Sequence, residues 1–159
     1  MKKTLIILVL IATTTIFNSC KKDSNGNIIV ASMSAKINNT DWSSTVRTCT
    51  KTGNTMVLIG TSIDGKTIEI KISPDLTTSN LTTNVDYTIG IGSLYKPTVN
   101  ASSTDIYFAL TGTGTVKLTQ LDMTSKLVSG TFNFNGATTG ITLVTISSGT
   151  FSNVSFIGS

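Results

Sequence analysis

From residue 28 onward, apolar and polar residues alternate with a period of two, the spacing of a strand with one buried face. Met33, Ala35 and Ile37 alternate with Ser32, Ser34 and Lys36. Asn38-Asn39 then makes a predicted hairpin turn into a strand over 41–50, in which Trp42, Ser44 and Val46 share a face. After a turn at 51–54 that contains Gly53, residues 55–61 carry Met56, Val57, Leu58 and Ile59 in succession, as expected of a central strand. Asp64-Gly65 is the strongest hairpin signal in the chain, with both residues expected at positive φ. In 66–72, Ile68, Ile70 and Ile72 point inward between Thr67, Glu69 and Lys71.

Pro74 ends that strand, and a polar loop runs to Asn84. Val85, Tyr87, Ile89 and Ile91 form the next alternating face, whereas 92–104, with Tyr95-Lys96-Pro97, reads as an exposed loop. Ile106, Phe108 and Leu110 fall together, as do Val116 and Leu118 beyond the turn at Gly112 and Gly114. A turn over 122–126 leads to 127–134, where Val128, Phe132 and Phe134 share a face. A link at 136–140 precedes two closing strands, 141–147 and 150–157. About ten strands at regular spacing, with turn residues between them and no helical window, predict an all-β fold. The expected architecture is an antiparallel β-sandwich or flattened barrel. Serine and threonine make up 49 of 159 residues, which suits solvent-facing strand surfaces of low charge.

The first 20 residues follow a different rule. Lys2 and Lys3 precede the apolar run 5–12, a threonine cluster and Phe17-Asn18-Ser19-Cys20. The segment from Leu5 to Phe17 would make about 20 Å of helix, short of the ~30 Å hydrocarbon core, so a cleaved signal is expected instead of a membrane span. The small residue before a lone cysteine resembles a bacterial lipobox, in which the cysteine becomes the acylated first residue. The expected organisation is a lipoprotein-type signal over 1–19, a lipidated Cys20 with a short tether over 20–27, and one β domain over 28–159. Lys21-Lys22 beside the anchor suits anionic headgroups.

Charge and cysteine usage narrow the function classes. The chain has 12 Lys+Arg and 8 Asp+Glu, and loss of Lys2 and Lys3 leaves a net charge of only +2. Charges of mixed sign without a basic cluster argue against nucleic-acid binding. With Cys20 acylated, Cys49 has no disulfide partner. Arg47 and Lys51 lie on its own predicted face and would lower its pKa. A small half-buried strand residue is the preferred reading of Cys49.

One internal echo exists: Ser129-Gly130-Thr131-Phe132 returns as Ser148-Gly149-Thr150-Phe151. Together with the Ala35-to-Trp42 segment (Ala-x-Ile-Asn, then Trp), Asp86-Tyr87-Thr88-Ile89 and the closing Ser-Gly-x-Phe-x-x-Val, it resembles a family of uncharacterised Bacteroidota lipoproteins. The family's Asn-Gly turn is Asn38-Asn39 here, and Val85-Asp86 stands where Gly commonly precedes the Tyr. The resemblance implies an all-β domain of unknown function and supplies no catalytic residues.

Histidine is absent, which removes the commonest general base and metal ligand. No metal site, cofactor or catalytic residue is expected. The carboxylates are the single Glu69 and aspartates at predicted turns or strand ends, where Asp is favoured for its backbone hydrogen bonds. A carboxylate-dependent glycoside hydrolase is the least favoured alternative. The preferred reading is a non-catalytic binding or interaction module of the cell envelope, anchored to the outer membrane, with a glycan or protein ligand. A structural or accessory subunit of an outer-membrane complex is the second reading. Tyr95 in its predicted loop is the first ligand-binding candidate, followed by Trp42 and Tyr107, since loop ends of secreted sandwiches commonly carry such sites.

Overall fold

The structure is a computed structural model that describes residues 30–74, 80–89 and 92–158. These residues form twelve strands and no helix. The strands are β1 (Ser32–Ile37), β2 (Thr40–Ser43), β3 (Val46–Thr52), β4 (Thr55–Thr61), β5 (Thr67–Ile72) and β6 (Asp86–Thr88). They continue with β7 (Leu94–Lys96), β8 (Tyr107–Ala109), β9 (Thr115–Asp122), β10 (Leu127–Ala137), β11 (Leu143–Ser155) and β12 (Ile157–Gly158). Cys20, the signal and the tether lie outside the described residues, as does Ile91.

One continuous open sheet runs β12-β3-β4-β5-β7-β8-β10-β11-β1-β2, with β9 also on β10 and β6 on β9. Pairing is antiparallel except between β12 and β3, so the sheet is mixed. β11 occupies one edge of β10, while β9 and then β8 share the other. The sheet therefore folds over on itself at β10, as in a sandwich or flattened barrel. A Cβ placed on Gly60 of β4 would meet Met33 Sδ at 2.5 Å and Trp42 Cη2 at 2.9 Å, so the two layers touch there. The core is one apolar cluster that includes Ile68, Ile70 and Ile72 of β5 together with Phe132, Phe134, Ile146 and Phe151 of β10 and β11.

The alternating faces of β1, β5, β9 and β10 are those the pattern predicts, β4 lies between β3 and β5 as its apolar run predicts, and several expectations change. Val46 does not share the Trp42 face: the chain breaks at Ser44-Thr45, where Ser44 N donates to Met33 O and Thr45 N to Thr61 O. The break resets the phase, so Cys49 is buried and Val46 exposed. At 62–66, only Gly65 has positive φ (82°); Gly65 N donates to Ser62 O, a type I turn on Ile63-Asp64 followed by a left-handed glycine. Val85 is exposed outside β6. In β8 the buried residue is Ala109, with Phe108 and Leu110 outward. The two closing strands are one long β11, bulged at left-handed Ser148 and Asn153 (both φ 50°), where its register against β10 shifts and, at Ser148, its register against β1 shifts too.

The internal echo has a spatial meaning. Its two copies lie side by side, with Gly130 opposite Phe151, Thr131 opposite Thr150 and Phe132 opposite Gly149. A Cβ on Gly130 would sit 2.5 Å from the Phe151 ring, and one on Gly149 2.6 Å from that of Phe132. Each glycine thus opens the space that the other copy's phenylalanine fills, and the rings sit 6.3 Å apart. Tyr87, buried in β6, accepts from Thr82 N and donates to Thr82 O, tying the segment before it to the core.

Candidate functional site

Strand direction sorts the turns into two ends. β1 runs from Ser32, opposite Ser152, to Ile37, opposite Ile146. The chain therefore enters at the end that also carries the 53–54 and 123–126 turns and β12. The opposite end gathers the Asn38-Asn39 turn, the 62–66 turn, the 97–106 segment and the 138–142 turn. A Cβ on Gly65 would lie 2.7 Å from Val99 Cγ2, so the second and third of these touch. At about 3.3 Å per residue, the six residues of β1 set the chain's entry roughly 20 Å from the Asn38-Asn39 turn.

Two concavities open at the loop end. A groove of about 480 Å³ lies between the first two turns, with Asn38, Asp41 and Trp42 on one side and Ile63, Asp64 and Lys66 on the other. Lys66 Nζ donates to Asp64 Oδ2 at 2.6 Å, and the Ser62 hydroxyl donates to the same carboxylate. Those donors hold Asp64 down at about 2, and Asp64 in turn raises Lys66. Asp41 accepts from Lys36 at 2.6 Å, so the groove's charges are neutralised locally. Trp42 is 6% exposed and its indole N–H donates to Lys66 O at 3.3 Å. It is a core side chain whose edge borders the groove.

A second cleft, of about 590 Å³, lies between the 97–107 segment and the 138–142 turn. One wall carries Thr98, Asn100, Asp105 and Tyr107; the other is built of Thr138, Thr139 and Thr142. Both walls are braced by their own hydrogen bonds, Asp105 N to Ser102 O at 3.0 Å and Thr138 N to Thr142 O at 3.0 Å. Tyr107 is half-buried, with its ring 5.6 Å from that of Tyr95 at 37°.

Of the three aromatic candidates, then, only Tyr107 lines a cleft with substantial exposed surface. Tyr95 is not in an exposed loop. It lies in β7, pairs with Ile68 and Tyr107, and is 5% exposed, because three residues between Gly92 and Pro97 bridge β5 and β8. Burial raises its hydroxyl pKa, against an opposing effect of Lys66. Cys49 is also corrected: burial pushes its thiol up to about 12. Arg47 bonds to Ser44 and Lys51 to Gly53 O, so neither cation offsets that burial.

The aspartates act locally. Asp122 Oδ1 accepts from Thr124 N and Ser125 N, Asp105 from Ser102 Oγ, and Asp86 lies 3.9 Å from Lys117 Nζ. Among the described residues, no group of three or more His, Cys, Asp or Glu could hold a metal ion. No helix among them is long and apolar enough to cross a membrane.

A family model described as "Domain of unknown function (DUF6252)" matches residues 13–155. The chain belongs to this family. No curated protein and no solved structure matches the chain. The DUF6252 match spans the whole described sheet except β12, so the loop-end clefts lie inside the family region.

Proposed function

We propose that this protein is a membrane-anchored lipoprotein of the bacterial cell envelope, of the Bacteroidota outer-membrane type. Its β domain serves as a non-catalytic interaction module. The observation that carries the anchor is Phe17-Asn18-Ser19-Cys20 behind a short apolar run. Strand direction supports the division of labour. The chain enters at one end of β1, and the clefts open beyond its other end, roughly 20 Å away, on the side turned from the anchor. The test is acyl labelling in the native host with an alkyne fatty acid, comparing wild type with Cys20→Ala. Labelled, membrane-bound wild type and unlabelled, released variant are expected. An unlabelled wild type, or a variant that stays with the membrane, overturns the anchor.

A second reading, an accessory subunit of an outer-membrane complex, is favoured by exposed aliphatic side chains at the same end. Ile63, Val99 and Ile141 are 91%, 76% and 82% exposed on turns that a partner would cover. Ile63→Asp would weaken co-purification of such a partner, and unchanged co-purification would set the reading aside.

A further inference from the structure

The cleft between the 97–107 segment and the 138–142 turn has a chemistry that selects among ligands. Its volume, about 590 Å³, is in the range of small-ligand sites. Its lining contains one charged side chain, Asp105, and no cation. A phosphate, sulfate or carboxylate ligand would meet a like charge with no Arg or Lys to hold it. An extended peptide would need an open strand edge. Here β7 is paired on both sides by β5 and β8, and β8 by β7 and β10, so no free edge is available. A wholly apolar ligand would strip water from the threonine hydroxyls and return no hydrogen bonds.

What such a lining accepts is a neutral molecule that donates and accepts many hydrogen bonds. The hydroxyls of Thr98, Thr139 and Thr142 can each rotate to do either, Asn100 offers both, and Asp105 accepts. Thr138 Oγ1 accepts from Thr142 N, and Thr104 Oγ1 pairs with Ser102 Oγ. Tyr107 adds an aromatic face against which the C–H face of a pyranose ring packs, with a phenolic hydroxyl at its edge. The site is preorganised, because Tyr107 rests on buried Tyr95 and both walls carry internal hydrogen bonds. We propose that this cleft binds a neutral oligosaccharide, with Tyr107 as the stacking residue and Asp105 and Thr139 as hydrogen-bonding residues. The proposal names a ligand class for the interaction module proposed above and rests on that reading.

The test uses the full-length chain purified from membranes in detergent, with acylation of Cys20 checked separately by mass spectrometry. Calorimetric titration with neutral pentasaccharides of glucose (α- and β-linked), xylose and mannose is compared with titration by polygalacturonate. Binding of at least one neutral sugar is expected. Tyr107→Ala should weaken it about tenfold or more, while Tyr107→Phe stays within about threefold. Thr139→Val, on an exposed turn, should also weaken binding, and it guards against misfolding of the Tyr107 variant. The assignment is overturned if no neutral sugar binds, if only the polyanion binds, or if neither Tyr107→Ala nor Thr139→Val changes affinity. Capture of a protein partner that Tyr107→Ala abolishes, with no neutral sugar bound, would also overturn it, yet leave the interaction module standing. An unacylated Cys20 would remove the anchor without touching the sugar result.

Discussion

Individual side chains carry the sharpest consequences of the fold. Gly149 and Gly130 each leave room for a phenylalanine on the neighbouring strand, so a methyl there collides with ring and backbone at once. Gly149→Ala should lower stability by about 1–3 kcal/mol in urea unfolding. A companion Phe132→Leu change should recover part of that loss, since it relieves the ring half of the collision. The Cys49 thiol, with its pKa pushed up to about 12, should resist thiol reagents at pH 8 in the folded protein and react once urea exposes it. Asp64 titrates the other way. Its folded pKa, about 2, lies below the ordinary carboxylate value of 3.8. Its contribution is therefore complete above that ordinary value and disappears as pH falls towards 2. Proton-detected titration of the 62–66 turn should show the Asp64–Lys66 contact opening in that window and unchanged at pH 5–8.

At the scale of elements, two hairpin turns have the same hydrogen bonds and different residues at the decisive position. Gly65 N donates to Ser62 O, and Ser62 N to Lys66 O; likewise Ile141 N donates to Thr138 O, and Thr138 N to Thr142 O. The fourth residue is left-handed in both, at φ 82° for Gly65 and 65° for Ile141. A β-branched residue there costs about 1–2 kcal/mol that glycine does not. Ile141→Gly should therefore raise the unfolding free energy by up to about 1 kcal/mol, after the extra chain entropy of glycine is allowed for. Exposed and strained, Ile141 is the kind of residue kept for what it meets, not for what it stabilises. The Asn38-Asn39 turn, left-handed at both residues, was legible in the sequence because asparagine tolerates that conformation. So were β1, β5, β9 and β10, where alternation records a buried face, and β4, whose apolar run marks an interior strand. β7 was not legible: three residues are too few to show a period, and Pro97 beside Tyr95 mimics a loop. β11 read as two strands because Ser148-Gly149 has the composition of a turn, while here it is a bulge within one strand.

For the molecule as a whole, a single sheet folded over one core implies that it melts as one unit. Trp42, the only tryptophan and a bridge between β2 and β4, reports on that core. Its fluorescence and the far-ultraviolet dichroism should therefore trace coincident urea transitions, and separated midpoints would show that the layers unfold independently. The cleft between the 97–107 segment and the 138–142 turn is a whole-molecule feature too. Its walls are some 40 residues apart in the chain, and no local motif marks them. Tyr107 could be picked out as an aromatic, but only the pairing of β8 with β7 and β10 brings it against the 138–142 turn.

The placement of β1 has a mechanical consequence. It is the first strand among the described residues, and it is hydrogen-bonded on both edges, to β11 and to β2. A pull between the entry end and a ligand held at the loop end acts along the strand axes. Load then falls on the β1 ladders in shear, spread over many bonds side by side, instead of peeling them apart one after another. A domain loaded in this way would hold at forces that a strand loaded from its far terminus could not resist.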